Sequence, residues 1–157
     1  MNLSFNCNVI IRNYEKKIRY DTLIKLKKLC KKKGVKLYLA NDTKLALKAN
    51  LDGVYIPSFN KSLNLDNFKN KKKNFEVLGS AHTIPEIKIK ERQGVDLIFI
   101  SPLFLTKNYK KKLGIIKFNL MSKVTSKSII ALGGIRKNNL NKLKMVNAIG
   151  FSGITFF

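Results

Sequence analysis

The sequence predicts an α/β fold, a (β/α) barrel of the TIM type, and three observations predict it. Short β-branched runs alternate with longer helical patterns about seven times over 157 residues, a rhythm that requires parallel strands joined by helical crossovers. Several of the strand runs are apolar at nearly every position, as strands buried on both faces are. Polar residues and glycines collect just after the strands: Arg12, Asn41-Asp42, Pro57-Ser58, Ser80-Ala81-His82, Ser101-Pro102 and Gly133-Gly134. In a barrel these strand ends share one mouth; in the competing doubly wound open sheet they spread along an edge.

The elements follow in order. Asn8–Arg12 is the first strand, and Asp21–Lys33 a helix with Leu23, Ile24, Leu26 and Leu29 on one face and Gly34 where it stops. Lys36–Ala40 and Gly53–Ile56 are strands flanking a short helix at Lys44–Asn50. A helix at Leu63–Asn70 precedes the strand Phe75–Ser80. Pro85 suits the first turn of the helix Pro85–Gln93, and Gly94 ends it. Asp96–Ser101, Ser128–Leu132 and Phe151–Phe157 complete the strands, with helices at Lys117–Val124 and Asn138–Val146 between them.

Composition bounds the function. Residues 1–157 suit one domain, with 45% hydrophobic residues for a core and 26% charged residues to cover it. A net charge of +23, from 32 Lys and Arg against 9 Asp and Glu, ordinarily points to a polyanion partner. Here nearly all the excess is Lys, spread from Lys16 to Lys144 among many Asn and Ile residues, as AT-rich coding produces. Arg, the better reader of phosphate and guanine, occurs only at positions 12, 19, 92 and 136. A solvated basic face is the default expectation, and nucleic acid is not the expected partner. Cys7 and Cys30 form no disulfide or metal pattern, which fits a reducing cytoplasm. No apolar run reaches the roughly 18–20 residues of a membrane span, and the N-terminus lacks an export pattern.

Ser128-Ile129-Ile130-Ala131-Leu132 delivers Gly133-Gly134-Ile135 to a strand end, where backbone N–H groups are able to approach a phosphate; a plain tight turn uses the same glycines. In chain order the sequence also carries Asn41-Asp42, Leu51-Asp52-Gly53-Val54-Tyr55-Ile56-Pro57-Ser58, Gly79-Ser80-Ala81-His82-Thr83, Ile100-Ser101-Pro102-Leu103-Phe104-Leu105-Thr106 and Leu113-Gly114. These segments resemble thiamine phosphate synthase and its thiazole tautomerase relatives, from about Val9 to the C-terminus. The resemblance implies a β/α barrel that joins hydroxymethylpyrimidine diphosphate to a thiazole phosphate, releasing diphosphate. The match begins at the family's second strand and stops within its last, so it implies a barrel shortened by about one β/α unit.

The resemblance also implies roles. Asp42 matches a magnesium ligand, with Asn60 at the place of the second, acidic one. Arg12 matches a diphosphate-gripping arginine and Ser80 a serine at the pyrimidine site. Thr106 matches a phosphate-binding threonine, in a loop with Lys107, Asn108 and Gly114, and Gly133 and Gly134 match the pair at the thiazole phosphate. Departures accompany these matches: Ile10 and Tyr14 replace a glutamine and a lysine, and Asn108 and Tyr109 replace a threonine and a lysine. Lys107, Lys110, Lys111 and Lys112 crowd that loop as alternative cations.

His82, the sole histidine, is a structural residue or an acid/base group; the tautomerase branch uses a histidine at the matching place, and imidazole titrates near neutrality. Asp42 is an N-cap or a metal ligand, and Asp52 a turn residue. Three functions follow: a magnesium-dependent synthase, expected first; a metal-independent thiazole tautomerase; and a non-catalytic module binding a phosphorylated ligand. A shortened barrel leaves open sheet edges, so either Asn2–Arg12 forms a rearranged strand or a second copy covers the gap; a homodimer is expected, and Phe156-Phe157 either lends it apolar surface or packs inside the chain's own barrel.

Overall fold

A computed structural model describes residues 7–16, 18–63, 72–106 and 111–153. Its elements are β1 (Val9–Ile11), α1 (Tyr20–Lys32), β2 (Leu37–Ala40), α2 (Thr43–Lys48), β3 (Gly53–Ile56), β4 (Glu76–Ala81), α3 (Ile84–Arg92), β5 (Leu97–Ile100), α4 (Gly114–Ser122), β6 (Ser128–Leu132), a 3-10 helix (Lys137–Met145) and β7 (Gly150–Ser152). The strands form one seven-stranded sheet in the order β1-β2-β3-β4-β5-β6-β7, and each pair is parallel. A doubly wound sheet reverses its strand order at a switch point. This order never reverses, so the sheet is singly wound like a barrel, with β1 and β7 at its two edges.

Alternation along the strands divides the side chains between two cores. Tyr38, Ala40, Tyr55, Leu78 and Phe99 are buried together on the concave face, with Ile10, Leu97, Ile130 and Leu132 packed beside them. The convex face contributes Leu39, Val54, Val77, Ile98 and Ile129, which pack with Leu23 of α1, Ala46 of α2, Ile87 of α3 and Phe118 of α4. Full burial of one such large side chain contributes about 1.5–3 kcal/mol. The outer core is much the larger, so it carries most of the stability and leaves the inner face free to line a cavity.

Residues just before strands lock the register. Asn8 Oδ1 accepts from Lys36 N at 3.1 Å, Asp52 Oδ2 from Leu37 N at 2.8 Å, and Asp96 Oδ2 from Val77 N at 2.8 Å. Each satisfies an amide at the start of a neighbouring strand. Asp52 is thus a strand cap at the end of the barrel opposite the mouth. On the concave face nearby, Gly53 makes room for its neighbours: a Cβ there would sit 2.1 Å from Glu76 O and 2.9 Å from Tyr38 Cδ1. The Tyr38 ring fits against this glycine and its hydroxyl donates to Glu76, which also pairs with Lys36.

Some elements differ from the sequence expectation. Leu29 is 56% exposed; the inward face of α1 is set by Leu23, Leu26 and Cys30, at a spacing of three and then four residues. The α-helix expected at Asn138–Val146 is a 3-10 helix. Asn139 bonds to backbone groups, its Oδ1 accepting from Arg136 N at 2.9 Å and its Nδ2 donating to Gly134 O at 2.8 Å, and such bonds compete with α-helical geometry. α4 begins at Gly114, three residues before the expected start, and β7 begins at Gly150. The helix expected at Leu63–Asn70 lies outside the described residues apart from Leu63, as do Phe156-Phe157 and the start of the chain through Asn6.

Candidate active site

Parallel pairing places the C-terminal ends of all the strands on one rim, and the polar residues picked from the sequence follow those ends. The concave face encloses a cavity of about 980 Å³, lined by Ile10, Tyr38, Tyr55, Leu78, Phe99 and Ile130 across the sheet and by Phe151 and Ser152 of β7. Arg12, Asn13 and Tyr14, which follow β1, also line it.

On the β1–β3 side of the rim, side chains meet side chains. The Arg12 guanidinium lies 5.5 Å from the centre of the Tyr14 ring, and Tyr14 meets Phe59 edge to face at 5.2 Å. Burial pushes the Tyr14 hydroxyl pKa up, and the Arg12 charge partly offsets this. Asn41, held in the left-handed region at φ 60°, accepts from Asn60 Nδ2 at 2.7 Å. Asn60 Oδ1 in turn accepts from Ser62 N at 3.0 Å. Asp42 caps α2, its Oδ1 accepting from Leu45 N at 2.9 Å.

Beneath this loop lies a lysine that sequence reasoning passed over. Lys90 of α3 is fully buried, and its Nζ donates to Pro57 O at 2.8 Å, Asn60 O at 2.8 Å and Gln93 Oε1 at 2.7 Å. The amide of buried Gln93 donates to Asn60 O at 3.0 Å and Ser62 O at 2.8 Å. Burial pulls the Lys90 pKa down to about 8, against the opposing charge of Glu86. The signal was in the sequence: Lys90 follows Ile87 by three residues, on the stripe that faces the core.

On the β4–β6 side the rim is made largely of backbone. Ser80 is buried on the concave side of β4, paired in register with Phe99. His82 follows β4; its N–H donates to Glu86 Oε2 at 2.6 Å, and its Nδ1 lies 3.0 Å from Ser101 O and 3.1 Å from Ser101 Oγ. These bonds orient the ring with Nδ1 toward β5. Thr106 is half-buried in the loop after β5, while Lys107 and Asn108 lie outside the described residues. Gly114 has φ +70°, and its N–H donates to Leu103 O at 3.0 Å. Gly133 and Gly134, at φ +97° and +68°, lie against the β5 loop: a Cβ on Gly133 would be 2.8 Å from Pro102 Cα, and one on Gly134 2.4 Å from Leu105 O. Their carbonyls accept from Phe104 N and Asn139 Nδ2, while neither N–H donates to another described residue.

Magnesium takes oxygen ligands and is usually held by one or two carboxylates together with substrate phosphates. Asp42 keeps Oδ2 outside its capping bond, and Asn60 offers a neutral oxygen already accepting one amide. Among the described residues no three His, Cys, Asp or Glu side chains gather to hold a metal ion, so magnesium at these two oxygens would need a phosphorylated ligand to complete its coordination.

Sheet order, two-sided core and polar rim define the class: a singly wound β/α protein of barrel type with its candidate site at the C-terminal mouth. The Thiamine monophosphate synthase family model matches residues 8–156. A putative thiamine-phosphate synthase 2 of Aquifex aeolicus is 31% identical over 151 residues, covering 91% of this chain and 79% of that protein. A thiamine-phosphate synthase of Lactococcus lactis is 29% identical, covering 89% of this chain but only 64% of its own length. In fold, the chain is similar to a thiamine phosphate pyrophosphorylase from Pyrococcus furiosus, with a TM-score of 0.75 and 18% identity over 95% of this chain and 72% of that one. The chain belongs to the thiamine monophosphate synthase family, a family of transferases in thiamine biosynthesis. Among the described residues no helix is long and apolar enough to cross a membrane.

Proposed function

We propose that this chain condenses hydroxymethylpyrimidine diphosphate with a thiazole phosphate to give thiamine phosphate and diphosphate. The observation that supports the reading is that Arg12, Asp42, Asn60, Gly133 and Gly134 follow the C-terminal ends of β1, β2, β3 and β6, with Ser80 near the end of β4, all toward one rim of the parallel sheet. The bond between the pyrimidine methylene carbon and the diphosphate oxygen breaks with its electron pair leaving on diphosphate; the thiazole nitrogen then supplies the pair for the new carbon–nitrogen bond. Arg12 neutralises the leaving diphosphate. Asp42 and Asn60 would hold magnesium, which supplies further positive charge to that group when bound. Ser80 positions the pyrimidine, and the N–H groups of Gly133 and Gly134 grip the thiazole phosphate. Thr106, Lys107, Asn108 and Gly114 belong to the phosphate loop of this reading. Tyr55, Leu78, Phe99 and Ile130 keep the cavity apolar, so that water does not intercept the pyrimidine carbon.

A second reading, a metal-independent thiazole tautomerase, is favoured by the fixed His82 ring and the uncharged Asn60. One assay separates the two. Product formation is followed with both phosphorylated substrates, with and without magnesium, in wild type and His82→Gln. Magnesium-dependent coupling that stays within about threefold in His82→Gln supports the synthase. Absence of coupling at concentrations where thiazole phosphate binds would falsify it, and thiazole isomerisation lost in His82→Gln would establish the tautomerase.

A homodimer completes the reading. Its support is the apolar surface of Ile116, Leu120 and Met145, which are 81%, 61% and 65% exposed. Sedimentation equilibrium checks it.

A further inference from the structure

We propose that Lys90 and Gln93 are positioning residues for the diphosphate half of the site, a role that rests on the synthase reading. Both stand on α3, behind the sheet, yet every hydrogen bond they make from Lys90 Nζ and Gln93 Nε2 ends on the loop after β3 or on each other. A free lysine side chain carries large rotamer entropy, and a buried cation is tolerated only where its donors are satisfied. Lys90 Nζ has three acceptors for its three hydrogens.

What the clamp holds is the point of convergence of three strand ends. Asn60, fastened through its carbonyl by both residues, reaches Asn41 after β2 with its side-chain amide. Phe59, one residue earlier on the same loop, meets Tyr14 after β1 edge to face, and Tyr14 carries the Arg12 guanidinium over its ring. Thus Arg12, Asp42 beside Asn41, and Asn60 take their relative positions from a loop whose own position is set from below. Positioning of this kind matters because displacement of about 1 Å at a reacting group costs on the order of a hundredfold in rate. The glycine pair on the other side of the rim receives none of these bonds.

The test compares wild type with Lys90→Met and with Gln93→Met, the latter removing half of the clamp while leaving the buried cation. Calorimetry measures the affinity for magnesium pyrophosphate and, separately, for thiazole phosphate, and hydrogen exchange follows the amides of residues 57–62. The clamp predicts magnesium pyrophosphate bound at least tenfold more weakly, thiazole phosphate affinity within twofold, and faster exchange concentrated at 57–62. Equal weakening of both ligands, or unchanged pyrophosphate affinity in a folded variant, overturns the proposal. If wild type binds thiazole phosphate but no magnesium pyrophosphate, the synthase reading fails on its own; unchanged exchange at 57–62 in the variants then overturns the clamp as well.

Discussion

The two halves of the mouth are built by different means. Around β1–β3, the positions of Arg12, Asn41 and Asn60 depend on rings, amides and a buried ammonium group. Around β5–β6, backbone meets backbone: Leu103 N donates to Leu132 O at 2.9 Å, Phe104 N to Gly133 O at 3.0 Å and Gly114 N to Leu103 O at 3.0 Å. A side-chain half changes its chemistry by substitution, and here Asn60 stands where the resemblance expects a charged ligand. A backbone half has no such freedom, because any side chain at Gly134 meets main-chain atoms. α3 ties the halves together: Lys90 and Gln93 reach toward the first, while Lys88 donates to Val124 O and Glu91 accepts from Thr125 just before β6.

Gly134→Ala tests the contrast most severely. Its Cβ would lie within 2.4–2.6 Å of Leu105 O and of the Phe104 carbonyl, at a φ of +68°, so a loss of about 3 kcal/mol is expected in urea unfolding. Asn60→Ala should cost only about 1 kcal/mol. Equal losses would erase the distinction between the halves.

Asp42 sharpens it next, because its two duties separate by chemistry. Asp42→Asn keeps a good helix cap, so stability should change by only a few tenths of a kcal/mol, whereas Asp42→Ala costs about 1 kcal/mol. Both should lower kcat/KM for magnesium-dependent coupling by roughly a hundredfold if the carboxylate serves the diphosphate. Activity retained in Asp42→Asn would reduce Asp42 to a cap.

The smallest effect concerns the tie between the halves. The Thr125 hydroxyl, and after it Lys88, hold the Glu91 carboxyl below its ordinary pKa of 4.5. A carboxylate depressed by folding contributes stability above its unfolded pKa and loses it as pH falls through the folded value. Thr125→Val should therefore cost a few tenths of a kcal/mol near neutrality, with the difference from wild type shrinking below about pH 4.5, while affinity for either ligand stays unchanged. A shift in ligand affinity would mean that the halves are coupled through α3.

Much of this architecture was legible in residue order. Strand and helix periods, Gly34 and Gly94 at positive φ where helices stop, and the Thr83 cap ahead of Pro85 are local properties, and the chain states them locally. The one-way strand order was legible only through where polar residues fell, since periodicity alone suits either sheet. Partners across the fold were not legible. Lys90 reads as one more lysine among 32 basic residues until the loop it meets, some 30 residues earlier in the chain, is placed above it. Tyr14 and Phe59 are similarly distant in sequence and adjacent in space. Leu29 misled because α1 turns its stripe toward Cys30, a choice made by packing.

The capping side chains ahead of the strands have a further consequence. Asn8, Asp52 and Asp96 pin the β1–β2, β2–β3 and β4–β5 pairs, and Glu76 N donates to Asp52 O across β3–β4. Among the described residues no comparable side-chain pin joins β5 to β6 or β6 to β7. At β5–β6–β7 main-chain bonds take that place, Phe104 N donating to Gly133 O and Ile149 N to Ile129 O, so the last two strands and the loop after β5 form one backbone-bonded unit. Gly133 and Gly134 stand on that unit. A phosphorylated ligand seated there adds its binding free energy to this part of the sheet, and occupancy of the mouth should slow amide exchange in β6 and β7 before it does so anywhere in β1–β4.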